Sequence, residues 1–297
     1  MVETRLVLGT AQLGTAYGVA NRVGAPDAAS ARSIVQAAWE GGVREFDTAR
    51  AYGDSEAVLG RALLELGLAG QARILTKTDP GWDGRDADAL RRDLDESLRR
   101  TGAARLGALL LHREDLLGLW DQGLGRILRE LVDTGLVERV GVSVYSVKAA
   151  LAALKLDGLD LIQLPSNILD RRFEAAGVFE KAALSGRTVH VRSVLLQGLL
   201  LMVPQDVPGH LAQAASIVEA FHGLARRHGL SPLEAALGYA ARAYAGAGVL
   251  FGAEMPEQVR ANLAAFSRGV PECCASEARR LFAAVPEQIL NPSLWGK

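Results

Sequence analysis

Short apolar runs alternate along the chain with longer segments in which apolar residues recur every three or four positions. The short runs favour buried β-strands, whereas the helical spacing favours amphipathic helices. The apolar runs predict strands at residues 5–10, 43–46, 72–76, 106–111, 137–142, 159–164, 188–191 and 248–251. The first predicted helix is capped by Asp27 or Ser30 and ends before Gly41. Further helices are predicted at residues 55–66, 87–100, 125–134, 147–154, 173–185, 212–228 and 256–266.

This repeat of eight strands, each followed by a helix, is typical of one (β/α)8 TIM barrel. Residues 106–111 are continuously apolar, which suits a parallel strand that is buried on both faces. No linker rich in Pro, Gly or Ser divides the chain, so we expect a single domain over residues 1–297, with a helical tail from Ser276 to Lys297 folded over the barrel. A doubly wound sheet is the rival fold, but no Gly-x-Gly-x-x-Gly motif, P-loop or Gly-x-Ser-x-Gly elbow follows a predicted strand.

Composition narrows the functional class. The chain has 49% hydrophobic and 23% charged residues, as globular proteins do, and its formal net charge of −1 argues against a general binder of nucleic acid or membrane surfaces. We therefore expect a small-molecule partner. No signal-peptide pattern or membrane-spanning run is present, so a cytoplasmic protein is expected, either monomeric or in a small homo-oligomer. The adjacent Cys273 and Cys274 are expected to be free thiols, and no metal site is expected.

Polar residues follow three consecutive predicted strands at the point where each strand ends. Strand two ends in Asp47, with Tyr52 just after it, strand three ends in Lys77, and strand four ends in His112. Catalytic residues of such barrels lie at the C-terminal ends of the strands. Each residue alone has an ordinary structural explanation, but together they bring an acid, a phenol, an amine and an imidazole to one rim.

These four groups suit proton transfer to a carbonyl oxygen. A lysine ammonium beside a tyrosine favours the phenolate, which helps the phenol to act as a general acid and base near neutral pH. The aspartate would hold the lysine charged and oriented. A neutral histidine could donate to the carbonyl oxygen while Tyr52 provides the proton as a hydride arrives at the carbon.

The sequence resembles the aldo-keto reductase superfamily over nearly its whole length. The matching segments are Leu8-Gly-Thr-Ala-Gln-Leu-Gly14, Phe46-Asp-Thr-Ala-Arg-Ala-Tyr-Gly53, Thr76-Lys77, Leu110-Leu-His112, Gly141-Val-Ser143, Gln163-Leu-Pro-Ser-Asn167 and Gln197-Gly-Leu-Leu200. The resemblance implies a barrel that binds a nicotinamide cofactor without a Rossmann domain and reduces aldehydes or ketones. It also implies a catalytic tetrad made of Tyr52, Lys77, Asp47 and His112.

The resemblance further implies a cofactor site around the strand ends. Its residues are Gly9, Thr10, Ser143, Gln163, Arg192, Ser193, Leu195, Gln197, Gly252, Gln258 and Asn262. Ser143 and Gln163 would hold the carboxamide, although Val144 replaces an Asn found in many relatives. Arg192 stands where many relatives stack an aromatic ring on the nicotinamide. The family favours NADPH, but Glu254 would repel a 2′-phosphate and leaves NADH open.

The sequence leaves more than one interpretation open for the function and for the substrate. An NAD(P)H-dependent carbonyl reductase is the leading interpretation. A redox-sensing regulatory subunit that binds the cofactor, or an aldolase that forms a Schiff base on Lys77, would use the same fold. Aromatic and basic residues predicted to reach the substrate pocket are Tyr17, Trp82, Arg113 and Trp295. Arg113, together with Arg50, suggests an acidic or hydroxyl-rich substrate such as a keto acid or a sugar.

Overall fold

A computed structural model describes residues 4–295 and shows a closed barrel of eight parallel strands in chain order. The strands are β1 (Arg5–Gly9), β2 (Glu45–Asp47), β3 (Arg73–Lys77), β4 (Ala108–Leu111), β5 (Val140–Ser143), β6 (Leu161–Pro165), β7 (Thr188–Arg192) and β8 (Gly248–Phe251). Pairing of Arg5 with Gly248 closes the barrel. The predicted (β/α)8 fold is confirmed, and every strand boundary lies within three residues of the predicted one.

The continuous apolar sequence of β4 shows why parallel strands lack a polar face. Leu109 and Leu111 belong to the large core that also contains residues of the surrounding helices. Leu110 points the other way and packs with Leu75 and Leu161 in a separate cluster. Successive side chains of a strand point to opposite faces, so both faces of β4 are buried.

Helices cover the outside of the barrel. They are α1 (Ala11–Gly14), α2 (Ala28–Glu40), α3 (Ser55–Glu65), α4 (Ala87–Thr101), α5 (Leu124–Asp133), α6 (Val147–Ala153), α7 (Arg172–Ala175), α8 (Val178–Leu184), α9 (Ala215–Arg227), α10 (Pro232–Ala243), α11 (Pro256–Arg268), α12 (Glu272–Leu281) and α13 (Glu287–Leu290). Asp27 is the cap of α2, because its side chain accepts a hydrogen bond from the Ser30 amide at 2.8 Å. Short 3₁₀ segments lie at Glu114–Gln122, Leu196–Leu201, Pro204–Asp206, Gly209–Ala214 and Pro292–Leu294.

Two helix predictions were wrong. The helix predicted at residues 173–185 is divided into α7 and α8 by Gly177, whose φ of 67° is left-handed and interrupts the helical backbone. Helix α10 was missed altogether. Its sequence signal is a capping box in which Ser231 and Glu234 satisfy each other's backbone amides, with Pro232 in the first turn.

An ion cluster stabilises the end of the barrel opposite the strand C-termini. The Glu45 carboxylate lies 3.3 Å from Arg5, 3.2 Å from Arg139 and 3.3 Å from the His190 ring. Burial raises the pKa of Glu45, but His190 and the two arginines outweigh it and lower the pKa to about 2. These side chains join β1, β2 and β7 to the residue before β5, and Glu45 lies two residues before Asp47 on β2.

The C-terminal tail follows α11 and contacts α9 and the 3₁₀ segment Gly209–Ala214. Helix α12 packs beside α9 and begins at Glu272, before the predicted tail. Of the two free cysteines on α12, Cys273 is exposed and Cys274 is buried. After α12, the Phe282 carbonyl accepts a hydrogen bond from Arg171, which follows β6. Met1, Val2, Glu3, Gly296 and Lys297 lie outside the described residues.

Candidate active site

A buried ion pair lies at the centre of the C-terminal rim. Lys77 Nζ is 2.6 Å from Asp47 Oδ1 and donates to the Thr48 carbonyl at 2.9 Å. The side chains are only 1% and 3% exposed. Burial lowers the pKa of Lys77, but Asp47 and Tyr52 together outweigh it, so that the net shift is upward and the ammonium persists.

Tyr52 lies directly above this pair and beside His112. Lys77 Nζ is 5.0 Å from the centre of the Tyr52 ring, and the Tyr52 and His112 rings are 6.2 Å apart at 89°. Burial, and then the Lys77 charge, lower the pKa of His112 to about 4. The imidazole is therefore neutral at physiological pH. The structure thus brings all four predicted catalytic side chains together.

Asp47 uses both of its carboxylate oxygens. While Oδ1 faces Lys77, Oδ2 accepts a hydrogen bond from Gln163 Nε2 at 2.7 Å. The other end of this amide, Gln163 Oε1, is buried and has no hydrogen-bond partner in residues 4–295. A buried acceptor without a donor is costly, and a bound amide N–H group would satisfy it. The carboxamide of a nicotinamide fits this position.

A cleft of about 520 Å³ begins at Asp47 and Tyr52 and extends past the ends of β7 and β8. Ten of the eleven predicted cofactor residues line it, namely Gly9, Thr10, Gln163, Arg192, Ser193, Leu195, Gln197, Gly252, Gln258 and Asn262. Thr10 uses its hydroxyl to contact the Asp47 carbonyl and Ser55. Ser143 is paired with Gln163 in the β5–β6 register but does not line the cleft. The size is typical of a small-molecule site.

Three of the four residues predicted for the substrate pocket do not line the cleft. Only Tyr17 does so. Trp82 is 6% exposed and donates from Nε1 to the Asp86 carbonyl. Arg113 pairs with Asp115 and donates to the Pro80 carbonyl at 3.1 Å. The half-buried Trp295 packs against the core.

The connection after β7 contributes more to the cleft than the sequence indicated. Ser193, Leu196 and Gln197 adopt left-handed backbone angles, with φ of 62°, 46° and 55°. Strain of this kind occurs where tertiary contacts impose a loop shape, often at functional sites. Asn167, after β6, holds this loop by donating to the Ser193 carbonyl at 3.1 Å.

The β7 connection also meets the loop after β1 across the cleft. Gln197 Nε2 lies 3.4 Å from the Tyr17 hydroxyl. Arg22 and Asp206, which both line the cleft, form an ion pair at 3.4 Å. Sequence reasoning missed this pair, because nothing local links residues that are 184 positions apart.

Comparison with known proteins agrees with this geometry. The family model described as "Aldo/keto reductase family" matches residues 5–273. The chain belongs to the aldo/keto reductase family. Aldo-keto reductase YhdN of Bacillus subtilis is 28% identical to it over 205 residues, which cover 66% of this chain and 60% of that protein. The NADH-specific methylglyoxal reductase of Escherichia coli is 25% identical over 278 residues, or 82% and 85% of the two chains.

Solved structures also share the fold of this aldo/keto reductase. The glycerol dehydrogenase of Gluconobacter oxydans superposes with a TM-score of 0.73 at 23% identity, covering 97% of this chain and 93% of that one. In residues 4–295, none of the helices is both long enough and apolar enough to cross a membrane. The same residues contain no group of three or more His, Cys, Asp or Glu side chains that could hold a metal ion.

Proposed function

We propose that this aldo/keto reductase uses NAD(P)H to reduce a small aldehyde or ketone to an alcohol. The observation that carries the proposal is the buried Lys77–Asp47 pair beneath Tyr52, with a neutral His112 at its side. Burying an ammonium and a carboxylate is costly. The Lys77–Asp47 pair lies at one end of a cleft that is large enough for a cofactor, and this placement supports a catalytic role.

The four side chains have distinct roles in the proposed reaction. A bound NAD(P)H would supply the hydride that the carbonyl carbon receives. Tyr52 transfers its phenolic proton to the carbonyl oxygen, and Lys77 stabilises the phenolate that forms. His112 is neutral, so its imidazole can donate a hydrogen bond to the same oxygen without competing as a strong acid. Asp47 keeps Lys77 charged and in place, and contacts no reacting atom.

Cofactor binding is assigned to nine of the ten cleft residues, and to Gln163 in particular, whereas Arg192, whose guanidinium lies over the Tyr145 ring, is left out of this set. The unpartnered Oε1 of Gln163 supports a contact with the carboxamide. NADPH is the family expectation, but Glu254 lines the cleft near the predicted adenosine end and has no cationic partner within 4 Å in the described chain. A carboxylate there disfavours a 2′-phosphate. NADH is therefore included, and one relative is named as NADH-specific.

The test is Tyr52→Phe, which removes the proton donor and leaves the ring. We expect loss of carbonyl reduction, measured as NAD(P)H oxidation with small aldehydes, and nearly unchanged nucleotide binding, measured by fluorescence titration. Wild-type activity in Tyr52→Phe would refute the tetrad assignment. Nucleotide binding without turnover in the wild-type protein would instead favour a regulatory subunit.

The aldolase alternative needs a neutral, accessible amine on Lys77. Lys77 is 1% exposed, and its raised pKa keeps it as an ammonium bonded to Asp47. These properties favour a role in supporting Tyr52. Borohydride reduction in the presence of aldehydes would reveal a covalent adduct on Lys77 if the aldolase interpretation were right, and we expect none.

A further inference from the structure

Some of the charged side chains that line the cleft form ion pairs, and others do not. Asp47 is paired with Lys77, and Asp206 is paired with Arg22. Arg192 also lines the cleft, but no carboxylate lies within 4.0 Å of it in the part of the chain that the structure describes. A half-buried guanidinium without a counter-ion is suited to binding a carboxylate or a phosphate.

Arg192 is held in place by neutral groups. Its guanidinium carbon lies 4.1 Å from the centre of the Tyr145 ring, a cation–π distance. Nη2 donates to the Val144 carbonyl at 3.3 Å, and Nη1 lies 3.5 Å from Ser193 Oγ. A guanidinium has five N–H donors, and these two contacts leave the others free. The group is therefore oriented before a ligand arrives.

The position of Arg192 is on the catalytic side of the cleft. Burial is the largest cause of the lowered pKa of His112 and the Lys77 charge comes next, and the charge of Arg192 also lowers this pKa. It also opposes the burial that raises the pKa of Tyr17, a cleft residue that contacts Gln197. Arg192, Tyr17 and Tyr52 line the same cleft, so a molecule bound beside Tyr52 shares that cleft with the guanidinium.

We propose that Arg192 binds the carboxylate or phosphate group of an anionic carbonyl substrate. The inference rests on the proposed function, and names the substrate class for the same site. The sequence had suggested an acidic substrate from Arg50 and Arg113, but Arg50 pairs with Asp93 and Arg113 with Asp115. Arg192 supplies the unpaired positive charge that those two arginines lack.

Matched aldehydes provide the test. Succinic semialdehyde is compared with butyraldehyde, and glyceraldehyde 3-phosphate with glyceraldehyde, using both reduced cofactors. The first pair tests a carboxylate and the second a phosphate. We expect the wild-type protein to prefer the charged member of at least one pair. Arg192→Met should lower kcat/KM for that member roughly 10- to 100-fold, the range for loss of a charge-assisted hydrogen bond, and affect the neutral member far less.

Two variants and one binding measurement separate the outcomes. Arg192→Lys, which keeps the charge but not the planar fork, should retain part of the preference. Arg113→Met should leave the preference as it was, because Arg113 is already paired. If Arg192→Met lowered kcat/KM equally for charged and neutral aldehydes and also weakened NAD(P)H binding, the proposal would be overturned, because Arg192 would then bind the cofactor.

Binding of unreactive succinate and of inorganic phosphate, measured by calorimetry, gives a readout that does not depend on turnover. Weaker binding of either anion to Arg192→Met than to the wild-type protein supports the anion site, even if no aldehyde is reduced and the proposed reaction fails. Equal binding of both anions to the two proteins, or binding of neither, would overturn the site while leaving the reductase proposal untouched.

Discussion

The Lys77–Asp47 pair allows stability and activity to be separated. Lys77→Met keeps most of the side-chain length and removes the charge. Asp47 would then be buried with Gln163 as its one remaining side-chain partner. Removing one partner of a buried ion pair costs about 3–5 kcal/mol, because the other charge stays behind without compensation. The small exposed fractions of 1% and 3% place this pair in that class.

The expected change in melting temperature follows from the chain length. Unfolding entropy is about 2.1 cal/mol/K per residue, or roughly 0.6 kcal/mol/K for 297 residues. A loss of about 3–5 kcal/mol therefore corresponds to a Tm that is lower by roughly 5–8 °C. Differential scanning calorimetry at pH 7 measures it directly.

The matched control is the double variant Asp47→Asn with Lys77→Met. With both charges removed, most of the lost Tm should return, because no unpaired charge is buried. Activity should stay lost in both variants, because Tyr52 has no ammonium beside it. A double variant less stable than Lys77→Met, or a Tm within about 1 °C of wild type for Lys77→Met, would refute this reasoning.

The other predictions concern the adenosine end of the cleft, a glycine beside Tyr52, and pH. Glu254→Arg should shift the ratio of the NADPH and NADH dissociation constants towards NADPH, through pairing with the 2′-phosphate; an unchanged ratio would show that Glu254 points elsewhere. Gly14→Ala should lower the free energy of unfolding by about 1–3 kcal/mol or more and impair catalysis, because the new Cβ would lie 1.9 Å from the Tyr52 carbonyl oxygen. In the control Gly118→Ala, the new Cβ meets nothing within 4 Å, so this variant should not be destabilised. In urea unfolding, the free energy of unfolding should fall as the pH drops from 6.5 to 4, because His112 takes up a proton in the unfolded chain before it does in the folded one. His112→Asn should make this dependence on pH less steep. An identical dependence in the variant would contradict the lowered pKa of His112.

The barrel and the meeting of Asp47, Tyr52, Lys77 and His112 at its rim were predictable because both depend on short-range pattern and on strand order. Each strand end delivers its polar residue to the same rim, so Asp47, Lys77 and His112 had to meet once the fold was right. Tyr52 follows β2 by only five residues, which limited where it could lie. The residues at the rim of a barrel can thus be predicted from the sequence when the ends of its strands can be predicted.

The substrate side of the cleft was less predictable because loops form it. Trp82 and Arg113 are close to strand ends in sequence, but their polar atoms bond to Asp86 and Asp115 and turn the side chains away from the cleft. The pairing of Arg22 with Asp206, and the unpaired state of Arg192, depend on the path of the connection after β7. No periodic pattern specifies such a path.

Asp47 connects two tasks that the proposed mechanism gives to different residues. One of its oxygens holds the ammonium beneath Tyr52, and the other holds the amide proposed to receive the carboxamide. A change at Gln163 should therefore alter proton transfer as well as nucleotide affinity, and a change at Lys77 should alter nucleotide affinity in return. The two substitutions should show a coupling energy in a double-mutant cycle, so that the cofactor helps to assemble the acid that acts with it.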